Sequence, residues 1–118
     1  MNAKDIQIKA AEYHDAGDYL SAAYWYKKAA DLNYPPSIEG LAFLYHNGYG
    51  VSKNIALAIT LYRRGASLGD VHCMMDLAWL YYFGEDVPKD LYQAKKWFEM
   101  ASRAGDKDAI EFLSTHQL

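Results

Sequence analysis

The sequence has one cysteine, Cys73, so an intrachain disulfide is impossible and nothing points to an oxidising compartment. It has no apolar run near the roughly 18–20 residues that a membrane crossing requires, so no membrane span is expected. Met1 to Lys9 mixes polar, charged and apolar residues with no apolar stretch of signal-peptide length, which makes the cytoplasm the expected location. Positive charge is also scarce. The formal net charge is -3, whereas a protein that neutralises phosphates concentrates lysine and arginine, so nucleic acid is not an expected partner.

The familiar signatures of chemistry are absent as well. There is no phosphate-cradling Gly-Lys-Ser/Thr loop, nucleophile elbow, His-Glu-x-x-His or Cys-x-x-Cys. Gly48-Tyr49-Gly50 reads as a loop, and His14, His46, His72 and His116 have no metal-ligand spacing. Asp15 with Asp18, and Glu85 with Asp86, fall in turns where carboxylates are solvated or cap the next helix. No enzyme activity, metal or cofactor is expected.

What the chain does have is a repeat. Its 118 residues suffice for one compact domain with its own core. Shifted by 36 positions, the sequence matches itself at Leu41/Leu77, Ala42/Ala78, Leu44/Leu80, Tyr45/Tyr81, Gly48/Gly84, Val51/Val87, Lys53/Lys89, Ala58/Ala94, Tyr62/Phe98, Gly69/Gly105 and Asp70/Asp106. The same shift backwards carries Ala58 to Ala22 and Tyr62 to Tyr26, which exposes an earlier copy. That copy's first inter-helix turn, Asp15-Ala16-Gly17-Asp18, is four residues shorter.

Each copy reads as two helices. From Ile38 to Tyr45 and from Ala56 to Leu68, small and apolar residues fall on one helical face. Pro35 and Pro36 suit a first helical turn, and Gly69-Asp70 and Gly105-Asp106 supply a terminating glycine followed by a cap. Ala42, Ala58, Ala78 and Ala94 allow close helix approach, and Tyr45, Tyr62, Tyr81 and Phe98 fill the gaps. Cys73 takes the place of Ser37 and Ala109 and reads as a buried structural thiol. Lys27-Lys28 and Arg63-Arg64 on the second helices read as a solvated outer face.

Leu41-Ala42, Tyr45, Gly48-Tyr49-Gly50-Val51, Ala58, Tyr62, Ala66 and Gly69, together with Leu77-Ala78, Tyr81, Gly84, Val87, Lys89-Asp90, Ala94-Lys95-Lys96-Trp97-Phe98, Ala101 and Gly105, resemble the Sel-one-like repeat (SLR). This is a relative of the tetratricopeptide repeat with copies of about 36 residues instead of about 34. Glu85-Asp86 departs from the pattern where a second loop glycine is expected, so that loop should turn differently.

The resemblance implies an all-α fold, a right-handed α-α superhelix of about three helix pairs plus a C-terminal capping helix. Its single domain, 1–118, would comprise repeats at about 3–34, 35–70 and 71–106 with the capping helix at 107–116. It also implies a concave face, lined by the first helices, that holds a protein or peptide. Carried onto this register, the lining positions are Lys4, Gln7, Ala11 and His14, then Glu39, Phe43, His46 and Asn47, then His72, Met75, Trp79, Tyr82 and Phe83, with Glu111 and Thr115 from the cap. Of these, His14, Glu39, Phe43, His46, Met75, Trp79, Tyr82 and Phe83 are the expected partner-binding residues, with Phe43, Trp79 and Tyr82 as aromatic anchors.

The expected function is that of a small adaptor or regulator. One alternative is a bacterial immunity protein that neutralises a toxin, which mild acidity would suit against a basic target. A second is a penicillin-binding or hydrolytic enzyme, as proposed for cysteine-rich members of the family, and the single cysteine argues against it. A third is self-association through the aromatic residues.

Overall fold

Asparagine and aspartate side chains set where most of the helices begin. The Oδ1 of Asn2, Asp18, Asn54, Asp70 and Asp90 and the Oδ2 of Asp106 each accept a hydrogen bond from the backbone N–H three residues on, which satisfies one of the donors that a helix start leaves open. The computed structural model describes all 118 residues and contains the seven helices that these signals frame. They are α1 (Ala3–Asp15), α2 (Tyr19–Ala30), α3 (Pro35–Asn47), α4 (Ile55–Ser67), α5 (Val71–Phe83), α6 (Leu91–Arg103) and α7 (Lys107–Thr115). Helix α3 has no side-chain cap and opens on Pro35-Pro36, where the missing N–H leaves fewer donors to satisfy.

The chain divides into two units, Met1–Leu68 and Gly69–Leu118. In the first, α1 packs on α2, α2 on α3, and α3 on α4. Alanine faces make this close. Ala10, Ala22, Ala29, Ala42 and Ala58 are buried, and Ile38, Leu44, Tyr26 and Tyr62 fill the spaces between them. Gly40 marks the tightest approach, because a Cβ there would lie 2.6 Å from Cε1 of Tyr26. Ser37, fully buried, donates its hydroxyl to Oε1 of Gln7 and so ties α3 to α1.

In the second unit α5 packs on α6 and α6 on α7. Leu77, Ala78, Ala94, Phe98 and Ala101 form its core, and Ala109 seats α7. Each large side chain so buried contributes about 2–3 kcal/mol relative to exposure. Cys73 is fully buried, as are Ser37 and Ala109 at the matching positions of the other copies. Tyr45 and Tyr81 are only half-buried, while Tyr62 and Phe98 are fully enclosed.

The loops keep the repeat register. Asn54 N–H bonds the Tyr45 carbonyl at 2.9 Å and Asp90 N–H bonds the Tyr81 carbonyl at 3.0 Å, so each seven-residue loop folds back onto the helix before it. Between α1 and α2 only Ala16, Gly17 and Asp18 intervene, the four-residue shortening expected there. Gly50 has φ +71°, whereas Asp86 at the matching position avoids positive φ, so the later loop does turn differently.

One expectation changes. Arg64 does not belong to a purely solvated face: Nη2 donates to the Ala30 carbonyl at 2.7 Å and Nε to Oδ1 of Asn33 at 3.1 Å. Asn33 takes left-handed φ 58° where the other copies have Gly69 and Gly105, and the guanidinium holds that turn in place at the C-terminal end of α2.

Candidate partner-binding surface

In the first unit four aromatic rings meet near the C-terminal ends of α1 and α3, apart from the exposed Tyr24, which sits with Trp25 on α2. His14 lies in the last turn of α1 and Phe43 in the last two turns of α3, and their rings stack at 5.6 Å. Tyr19, the first residue of α2, meets His14 edge-on at 5.5 Å. Tyr49, from the loop after α3, stacks on Tyr19 at 5.0 Å and meets Phe43 at 5.9 Å. The four rings thus form a closed circuit of contacts. Phe43 and Tyr49 remain 38% and 41% exposed, so the circuit presents ring surface to solvent.

Gly50 makes the circuit possible. A Cβ at Gly50 would stand 2.4 Å from the Tyr19 carbonyl carbon, so only glycine lets this loop lie on the start of α2 and carry Tyr49 over Tyr19. Beneath the rings, Nδ1 of His14 and the Tyr26 hydroxyl share a hydrogen bond of 3.0 Å. Burial first, then the charges of Asp15 and Glu39, push the Tyr26 phenol up to about 12. The second copy repeats the pairing more loosely, with Nδ1 of His46 3.4 Å from the Tyr62 hydroxyl.

The second unit has a different aromatic assembly. Trp79 stacks on Phe83 at 5.5 Å and meets Phe98, Phe112 and Tyr82 edge-on at 4.9, 5.1 and 5.9 Å. Phe112, from α7, stacks on Phe98 at 4.4 Å and on His116 at 3.9 Å. Trp79 and Tyr82 are half-buried as a result, and Phe83 is 60% exposed. Lys89 places Nζ 5.5 Å from the Tyr82 ring centroid, a cation–π contact supplied by the chain itself.

Among the expected partner-binding residues, the structure therefore brings His14 and Phe43 together in the first unit, and Trp79, Tyr82 and Phe83 in the second. Glu39 lies one helical turn before Phe43 on the same face of α3 and is half-buried, as are His46 and Met75. Tyr19 and Tyr49 were not among the expected residues. Their signal was present, since Tyr19 directly follows a capping aspartate and Tyr49 is flanked by two glycines, but the repeat register aligns Tyr49 with Glu85 and so gives no aromatic position to notice. Phe112 was also missed because it aligns with Asp76.

The chain is similar in sequence and fold to known proteins. The chain is 33% identical to a Sel1 repeat protein from Oxalobacter formigenes, with a TM-score of 0.78 over 92% of this chain and 46% of that one. It is 25% identical to a protective antigen from uropathogenic Escherichia coli strains displaying an SLR fold, with a TM-score of 0.83 over 96% of this chain and 25% of that one. It thus spans less than half the length of either. Cysteine rich protein B from Helicobacter pylori is similar in extent, 26% identical with a TM-score of 0.71 over 95% of this chain and 97% of that one. A search of curated protein sequences gives no significant match. The Sel1 repeat pattern matches residues 7–34, 35–70 and 71–106, and with the all-α pairing of helices described above it makes this chain a member of the Sel1 repeat family.

Proposed function

We propose that this protein binds another protein or a peptide through aromatic side chains at the C-terminal ends of its first helices. Sel1 repeats are generally protein-interaction modules and generally not enzymes, and no helix here is long and apolar enough to cross a membrane. The observation that carries the reading is the exposed ring surface of Phe43 and Phe83 at the ends of α3 and α5. Aromatic side chains dominate binding energy where they are desolvated by a partner, and such large exposed rings lose little stability when removed.

The test is affinity capture from the native host, followed by titration of the captured partner against Phe43→Ala and Phe83→Ala. Each substitution should weaken affinity by about tenfold or more while leaving the helical circular dichroism spectrum unchanged. Full affinity in both variants would remove the reading. Trp79→Ala is a weaker probe, because its ring also supports Phe112 and hence α7.

Within this reading, the cellular role is that of an adaptor or an immunity protein against a basic toxin. The net charge of -3 suits the second role, and rescue of growth by co-expression with a candidate toxin separates the two.

A further inference from the structure

We propose that the His14, Tyr19, Phe43 and Tyr49 patch, bordered by Asp15 and Glu39, receives an arginine side chain presented by the protein partner. This rests on the reading above and narrows it to one occupant.

Three observations carry it. The first is the surface itself: four rings in mutual contact, with Phe43 and Tyr49 more than a third exposed. A guanidinium is planar, weakly hydrated and attracted to ring faces, so a stacked aromatic surface favours it over an ammonium. The second is charge. Asp15 follows His14 at the end of α1, Glu39 precedes Phe43 by one turn on the same face of α3, and Asp18 directly precedes Tyr19. The ion pair of the first unit, Lys27 with Asp31, involves neither Asp15 nor Glu39.

The third observation comes from the other unit. There the chain places its own Lys89 over Tyr82, so this type of aromatic cluster already holds a cation in this molecule. The cation–π contacts of the first unit lie elsewhere, with Lys9 and Lys28 over Trp25 and Lys28 over Tyr24. Ring surface and carboxylates thus coincide in the first unit, away from its own cation–π contacts.

The probe is a short peptide, acetyl-Gly-Arg-Gly-Arg-Gly-amide, with its citrulline counterpart as a neutral isostere. The readout is the aromatic NMR signals of the full chain during titration to about 10 mM, a range suited to millimolar affinity. The arginine peptide should shift the Tyr19, Phe43 and Tyr49 signals, bind about fivefold more tightly than the citrulline peptide, and weaken with added salt. Asp15→Asn combined with Glu39→Gln should lower its affinity about three- to tenfold with the fold intact by circular dichroism.

Equal binding of both peptides at these rings would overturn the arginine assignment while leaving a protein-binding surface in place. Shifts confined to Tyr82 and Phe83, no shifts at all, or an unchanged affinity in the double variant would each overturn it too. Loss of partner capture by Phe43→Ala is read separately, so failure here and failure of the broader reading stay distinguishable.

Discussion

In the second unit, Trp79, Tyr82, Phe83, Phe98 and Phe112 pack together and α7 contributes a ring to their centre, whereas in the first unit His14, Tyr19, Phe43 and Tyr49 meet through α1, α2, α3 and the loop after α3. The two clusters grow from matching places in the repeat, since Phe43 aligns with Trp79 and His46 with Tyr82. They differ in what each ring is used for. Phe98 is fully buried and holds α7 down; Tyr49 is 41% exposed and rests on one glycine. Aromatic content at a repeat position therefore says little about role until the neighbouring element is known.

The comparison breaks most clearly at Phe98. Phe98→Ala removes a fully buried ring and the stacking support of Phe112, and it should cost about 3–5 kcal/mol, read as a lower midpoint in chemical denaturation and faster proteolysis within α7. A variant as stable as the natural chain would show that α7 is seated by Ala109 alone. Phe43→Ala, by contrast, should cost about 1 kcal/mol, because its ring is partly exposed and its ring contacts are with His14 and Tyr49.

Next comes Gly50→Ala, expected to destabilise by about 3 kcal/mol because the new methyl group meets the Tyr19 backbone and the residue holds φ +71°. The reciprocal change at the matching loop position, Asp86→Gly, should alter stability by under about 0.5 kcal/mol. Equal effects of the two substitutions would mean that the loops are interchangeable.

A further effect concerns alkaline pH. The Tyr26 phenol titrates at about 12 in the folded chain against 10.0 ordinarily, so folding favours its neutral form. The associated stabilisation is complete below pH 10 and is lost as pH rises through 12, about 3 kcal/mol in full. Tyr26→Phe removes the titrating group. Urea unfolding at pH 9 and pH 11.5 should show the natural chain losing stability relative to the variant, and a constant difference would contradict the burial argument.

Much of this molecule was legible in its sequence because tandem copies repeat their punctuation. One shift of 36 positions aligns caps, alanine faces and loop glycines, and the helices follow from those signals. The interaction surface was less legible for the same reason. Tyr19 and Tyr49 owe their contact to a close backbone approach at Gly50, which periodicity does not encode, and Arg64 bonds a turn 31 residues away in sequence. Phe112 occupies a position where the preceding copy has Asp76, so the repeat register does not announce its part in the second cluster. Residues that depart from the repeat are those that repeat logic overlooks.

The aspartate caps have a further consequence for how such a chain changes length. Asp70 and Asp106 each follow a glycine that ends the previous helix, so a block cut between glycine and aspartate carries its own start signal and leaves the preceding stop intact. Duplication or excision of 36 residues at that junction preserves every local instruction, which makes the Gly-Asp pair a natural splice point for lengthening or shortening the array.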